Sequence, residues 1–153
     1  WLRFNEASVQ YLSSVEQGEA ALHLLSKYDV VIPNLQPLKP SISKQYVSCV
    51  EVEPWETFLS ELSNSPVNGV NPHDFFMNES SAPICNMFIM RRNIFDAYSR
   101  DLFKIINAIY NKIGSPYDKY NNRYPGFLAE RYLWYWIYSR KINFIQKPLV
   151  FLV

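Results

Sequence analysis

Glycine and histidine are scarce in this sequence, with 4 and 2 among 153 residues. No GxGxxG and no Walker-type loop occurs, which disfavours doubly wound nucleotide folds that cradle phosphates on glycine turns. His23 and His73 stand alone and no HExxH is present, so a histidine-rich metal site is excluded. GxSxG is also missing, leaving serine hydrolysis without support. Cys49 and Cys85, the two cysteines, form no CxxC and read as free, buried thiols in preference to a disulfide or a metal site. No apolar run reaches the roughly 18 to 20 residues that a membrane span requires. The longest candidates, Tyr132 to Tyr138 and Leu149 to Val153, are far shorter. The opening "WLRFNEASVQ" is not a secretory signal, and its Trp1 in place of Met marks the chain as an expected piece of something longer. A basic stripe is lacking too: 15 Lys and Arg are interspersed with 14 Asp and Glu, net +1, which argues against a nucleic-acid binder.

What is present is apolar bulk. The chain is 48% hydrophobic and 16% aromatic, enough to bury a core as one domain over residues 1–153. "EQGEAALHLLSKYD" carries Ala20, Ala21, Leu24 and Leu25 at helical spacing. "DVVIP" is a short β-branched strand stopped by Pro33, and "NLQPLKPSIS" is a proline-broken loop. Ser41 or Ser43 caps a short helix through "KQYVSCV". "PWETFLSELSN" starts a helix at Pro54 with Trp55, Phe58, Leu59 and Leu62 on one face. "SPVNGVNPHDFFMNESSAP" reads as loop with one helical turn around Phe75, and "ICNMFIMRR" as a central strand. The clearest helix is "NIFDAYSRDLFKIINAIYNKIG", with an apolar stripe from Ile94 to Ile113 and Gly114 ending it. "INFIQKPLVFLV" reads as a strand that Pro148 pushes toward an edge. Alternating helices and strands predict a layered α/β domain, a mixed sheet with flanking helices.

The chemistry concentrates in "YDKYNNRYPGFLAER", which gathers Tyr117, Asp118, Tyr120, Asn121, Arg123, Glu130 and Arg131 ahead of the all-apolar Tyr132 to Tyr138. Gly126 permits a sharp approach to the helix, and Glu130 is expected near its N-terminus, where the macrodipole favours a carboxylate. Arg131 then needs a partner, and Arg123, Asp118 and Glu130 are candidates for one network. Two outcomes stay open. The charges neutralise one another to anchor the helix, or they form a polar wall for a hydroxylated ligand such as a sugar. Elsewhere, His73 beside Asp74 is a weaker loop-borne pair, His23 a partly exposed helical histidine, and Glu51 to Glu53 a solvated acidic face that resembles a Mg²⁺ pattern only loosely.

The series "YDVVIP", "SISKQY", "ICNMFIMRRNIFDAY" and "YDKYNNRYPGFLAER" resembles a bacterial glycosyltransferase family of capsular, exopolysaccharide and O-antigen loci, long catalogued only as a domain of unknown function. The match runs from about Glu19 to the end. Lys44 stands where that family has Glu, Asn121 where it has Gln, and Val50 where it commonly has His; no DxD motif occurs. The resemblance implies a GT-A-like fold, of which this chain is the C-terminal, acceptor-side portion without an N-terminal donor-binding segment. It further implies transfer from a nucleotide sugar, a UDP-sugar, to a growing polysaccharide acceptor. The setting would be cytoplasmic, at the inner face of the membrane through peripheral association, with Mn²⁺ or Mg²⁺ whose ligands are not identifiable here. On that reading Glu130 is the first candidate for carboxylate chemistry and Asp118 the second. Arg123 and Arg131 orient the carboxylate or meet diphosphate, Asn86 contacts sugar hydroxyls, and Tyr120, Asn121, Gln45 and Tyr46 line the same cleft. The competing expectations are a non-catalytic carbohydrate-binding or scaffold module, and a structural domain whose aromatics serve a partner or a membrane surface.

Overall fold

A computed structural model describes residues 15–64 and 67–148. The apolar tail Leu149–Val153, expected to prolong the last strand, lies outside the described residues. Helix α1 (Val15–Lys27) leads into strand β1 (Val30–Pro33), whose four residues are all buried. β-Branched side chains on both faces suit a strand with no solvent side. Two short strands, β2 (Gln36–Pro37) and β3 (Ser81–Ala82), pair antiparallel to each other. Between them lie α2 (Ile42–Val47), α3 (Val52–Ser63) and α4 (Pro72–Asn78). After β3 come β4 (Ile89–Met90), α5 (Arg92–Ile113), a 3₁₀ turn at Asn121–Arg123, α6 (Tyr124–Ser139) and β5 (Phe144–Lys147).

The main sheet has three strands in the order β4-β1-β5, antiparallel on the β4 side and parallel on the β5 side. Val30 aligns with Met90 on one neighbour and with Phe144 on the other. Arg91 ties this sheet to α1: its guanidinium donates to the Leu25 and Ser26 carbonyls at 2.7 and 3.2 Å and pairs with Asp29 at 3.1 Å. A cation there also suits the negative end of the α1 dipole.

The predicted helix signals were specific. Ser41, not Ser43, caps α2 by accepting from the Lys44 amide, while the Ser43 hydroxyl is buried and accepts from the Trp55 indole N–H at 2.9 Å. Pro54 lies in the first turn of α3, and Trp55, Phe58, Leu59 and Leu62 are its buried face. Gly114 ends α5 at φ 70°. Four expectations change. "ICNMFIMRR" is not a central strand: Cys85 and Asn86 have positive φ (71° and 49°), the chain turns there, and only Ile89 and Met90 pair, at an edge. The single turn around Phe75 is a full helix, because Asn71 caps it and Pro72 opens it. The free cysteines are both exposed, not buried. Gly126 sits inside α6 with no positive φ, so no sharp bend depends on it.

Helix α6 is the axis of the core. Arg131 through Ile137 are buried without a break, and Tyr138 is half-exposed. Such a helix needs neighbours on every side. Tyr98 of α5 meets Trp136 at 5.4 Å, Phe58 of α3 meets Tyr132 at 6.4 Å, Phe76 of α4 meets Tyr135 at 5.6 Å, and Phe144 of β5 meets Trp134 at 5.5 Å. These centroid distances lie in the range of favourable aromatic pairing. The polar ends are placed as well: Trp136 Nε1 donates to Asp101 at 2.9 Å and the Tyr135 hydroxyl to the Val70 carbonyl at 2.9 Å.

Candidate functional site

The head of α6 is assembled from three directions. From α5, the Gly114 carbonyl accepts a 2.8 Å hydrogen bond from the buried Tyr124 hydroxyl, which fixes where α6 begins. The connecting loop closes on itself through Asn122, whose amide donates to the Tyr117 carbonyl and accepts from the Tyr117 N–H. From the turn before β4, Asn86 donates its side-chain amide to the Gly126 carbonyl at 3.1 Å. That carbonyl lies in the first turn of α6, and Asn86 reaches it because its positive φ turns the chain back.

Between these segments opens a cleft of about 400 Å³, lined by Asn86, Asn122, Arg123, Gly126, Phe127 and Glu130. Glu130 forms part of its wall with 24% of its side chain exposed, whereas its partner Arg131 is only 10% exposed. Arg131 holds Glu130 Oε2 at 2.7 Å, donates to the Phe127 carbonyl at 3.2 Å, and reaches across to Gln45 Oε1 of α2 at 3.0 Å. Its guanidinium carbon lies 5.5 Å from the centre of the Tyr46 ring, within cation–π range. Burial pushes the Tyr46 hydroxyl well above its ordinary range, and the charge of Arg131 opposes that only in part. Arg131 thus sits in a mostly buried place, with carboxylate, carbonyl and amide acceptors around it. The consequence for Glu130 is orientation. One oxygen is held by Arg131, and the other makes no hydrogen bond among the described residues.

The predicted site residues thus divide. Asn86, Arg123 and Glu130 come together on the cleft. Arg131, Gln45 and Tyr46 back it from inside rather than lining it. Tyr120 stands at its margin, 54% exposed and 5.4 Å from the Phe127 ring. Asp118 is a correction, because its carboxylate turns into its own loop and accepts from the Tyr120 and Asn121 amides at 2.7 and 2.9 Å. The Asn121 side chain donates to it as well, at 2.7 Å, so neither residue lines the cleft. Hydrogen bonds from Asn121, then from Tyr120, hold the Asp118 carboxyl below its usual range. The expected single network of Arg123, Asp118, Glu130 and Arg131 is replaced by three separate arrangements. Arg123 stacks 5.3 Å from the Phe127 ring and 6.0 Å from that of Tyr120. Glu130 also lies beyond the first turn of α6, which begins at Tyr124, so the dipole gives it little and Arg131 is its main support.

Phe127, Asn122 and Cys85 belong to this region and were not singled out from the sequence. Phe127 had a readable signal: Arg123, Phe127 and Glu130 are spaced four and three apart, one stripe of a helix. Cys85 had none. Its thiol is pushed up, first by burial and then by the negative charge of Glu130, which places it near the carboxylate. His23 and His73 are exposed on α1 and α4, and Glu53 accepts a hydrogen bond from the Tyr117 hydroxyl. Among the described residues no group of three or more His, Cys, Asp or Glu side chains comes close enough to hold a metal ion. No helix among the described residues is long and apolar enough to cross a membrane.

Similar proteins can be set beside this geometry. No curated protein matches the chain. The solved apo structure of WbbM, a bifunctional glycosyltransferase, superposes with a TM-score of 0.78 at 19% sequence identity. The likeness covers 95% of this chain and 27% of that one, so this α/β arrangement is a fold found inside a much longer protein. Residues 1–141 match a family described as a domain of unknown function, DUF4422, and the chain belongs to that family.

Proposed function

We propose that the chain is the acceptor-side part of a GT-A-like glycosyltransferase. In this reading it transfers a sugar from a nucleotide-sugar donor, a UDP-sugar, to a saccharide acceptor of a cell-surface polysaccharide such as capsule or O-antigen. The protein would work on the cytoplasmic side, associated peripherally with the membrane. The observation that carries the reading is the α6-head cleft: an oriented carboxylate beside amides and an aromatic ring, in a fold shared with a glycosyltransferase. Sugars present hydroxyls to be read by carboxylates and amides, and an apolar ring face that covers an aromatic side chain.

In this reading the acceptor hydroxyl points at the Glu130 oxygen that Arg131 leaves unheld. Glu130 takes the hydroxyl proton as the acceptor oxygen bonds to the donor's anomeric carbon. The bond from that carbon to the diphosphate breaks, and the electron pair leaves with the diphosphate. Because Arg131 fixes the carboxylate before substrate arrives, little reorientation is left for the reaction step. Arg123, exposed at the margin, is the guanidinium available to the leaving diphosphate. The alternative is a non-catalytic carbohydrate-binding module, and the self-sufficient Glu130–Arg131–Gln45 arrangement supports it, since it would anchor α6 without any substrate.

The test is transfer from radiolabelled UDP-sugars to a lipid-linked saccharide acceptor by the full-length protein that carries this chain and by its Glu130→Gln variant. We expect turnover to fall by about 10²–10⁴-fold, the usual contribution of a positioned base, with UDP-sugar binding and circular dichroism unchanged. Undiminished turnover in the variant removes Glu130 from the chemistry. Saccharide binding by the wild type without transfer leaves the binding-module reading in its place.

A further inference from the structure

A second hollow lies at the opposite end of α6, and nothing in the reading above uses it. It encloses about 340 Å³ between the Gly69–Val70 loop, helix α4 and the last turn of α6, and its lining includes Asn71, Asp74, Asn78, Glu79 and Tyr138. That volume is at the lower end of small-ligand clefts. Tyr138 is 50% exposed, although every residue from Arg131 to Ile137 is buried. Its ring is seated 4.9 Å from Phe75, which is itself buried, so one side is supported and the rest meets solvent.

The walls are held in place. Asn68 donates to the Ser139 carbonyl at 2.7 Å, and the buried Tyr135 hydroxyl donates to the Val70 carbonyl at 2.9 Å. Both bonds fasten the loop to α6. Asn68 and Gly69 adopt positive φ (50° and 72°), which turns the loop over the hollow. On the α4 side, Asn78 Nδ2 donates to the Asp74 carbonyl at 2.8 Å and Asn71 Oδ1 accepts from the Asp74 N–H at 3.2 Å, while Asn78 Oδ1 and Asn71 Nδ2 make no hydrogen bond among the described residues. The Asp74 and Glu79 carboxylates make no hydrogen bond or ion pair among the described residues.

These groups select a ligand class. Two carboxylates without a lysine or arginine in the lining repel phosphates and nucleotides. Buried Phe75 offers no deep apolar slot, which disfavours a hydrophobic anchor. An exposed aromatic face beside unpaired carboxylates and half-paired amides fits a ring with one apolar face and hydroxyls at its edge. We propose that this hollow is a second saccharide-binding subsite, in which a neutral sugar ring packs on Tyr138 and its hydroxyls are bound by Asp74, Asn78 and Glu79. Tyr138 lies about 12 Å further along the α6 axis than Glu130, from the helix rise, so one sugar ring cannot occupy both places. The assignment extends the glycosyltransferase reading, in which this subsite holds a distal unit of the acceptor, but its chemistry does not depend on Glu130.

The experiment is a titration of ¹⁵N-labelled protein with maltotriose, cellotriose, mannotriose and chitotriose, each to about 20 mM, because single sugar subsites bind in the millimolar range. At least one should shift the Asn71 and Asn78 side-chain amides and the Gly69 backbone amide. Tyr138→Ala should weaken that binding about tenfold or more, and so should the surface double variant Asp74→Ala/Asn78→Ala. Tyr138→Phe, which keeps the ring, should bind as the wild type does. Failure of all four sugars to shift these residues overturns the proposal, as does binding that survives Tyr138→Ala. Shifts confined to the α6-head cleft also overturn it while supporting the function proposed for Glu130.

Discussion

Replacing Arg131 by Met separates support from chemistry at the head of α6. Methionine keeps much of the arginine stem but removes the guanidinium. Three hydrogen bonds go with it, to Glu130 Oε2, the Phe127 carbonyl and Gln45 Oε1, together with the contact over Tyr46. Removing one partner of a buried ion pair costs about 3–5 kcal/mol, because the other charge is left unpaired. Glu130 is 24% exposed, so it can recover part of its hydration by turning into the cleft. That lowers the expectation to about 2–4 kcal/mol. Glu130→Gln should cost less, about 1–3 kcal/mol, because it leaves the Arg131 charge without its counter-ion but its amide oxygen still accepts from Arg131 and two other acceptors remain. Urea unfolding followed by tryptophan fluorescence measures both, with Trp55, Trp134 and Trp136 buried as reporters. A loss below about 1 kcal/mol for Arg131→Met, or a loss for Glu130→Gln larger than that for Arg131→Met, would refute the claim that Arg131 is the structural member of the pair.

Three further outcomes follow from neighbouring contacts. Ser43→Ala leaves the buried Trp55 indole N–H without its acceptor and should cost about 1–3 kcal/mol in the same unfolding assay. Ellman's reagent should reach Cys49 and Cys85 without denaturant, and Glu130→Gln should quicken Cys85 alone, since burial and the Glu130 charge both raise that thiol. Asp118 has its pKa lowered in the folded chain, so its contribution is complete above the ordinary carboxyl value of 3.8 and is lost as pH falls through the lower folded value. The Tyr120 and Asn121 amides should accordingly stay protected at pH 3.8 and lose protection only in stronger acid, and Asp118→Ala should remove that protection at every pH.

What could be read in advance depended on how local its cause was. Ser41 and Gly114 act within one turn of chain: "NKIGS" showed the Gly114 stop, and "PSISKQY" narrowed the cap to Ser41 or Ser43, of which Ser41 serves. "DVVIP" was legible as a strand because β-branched burial on both faces leaves a plain signature. "ICNMFIMRR" misled because hydrophobicity marks burial and strand alike, while the positive φ at Cys85 and Asn86 answers to a distant Gly126 carbonyl. At the candidate site, the carboxylate and guanidinium were visible as a dense cluster, but their pairing was not. Asp118 looked available until the backbone amides of Tyr120 and Asn121 were seen to satisfy it. Gln45 joins Arg131 across a long sequence separation, and only the packing of α2 against the head of α6 brings them together. The distant hollow around Tyr138 escaped for the same reason, since loop, α4 and α6 meet there only after folding.

The central claim is that Glu130 presents one oxygen to a saccharide in the α6-head cleft. A crystal structure of the protein soaked with its acceptor oligosaccharide tests this most directly. The account predicts a sugar hydroxyl within about 2.6–3.2 Å of the Glu130 oxygen not held by Arg131, with Phe127 against the ring. A saccharide found only outside this cleft, with no sugar hydroxyl on Glu130, would contradict it.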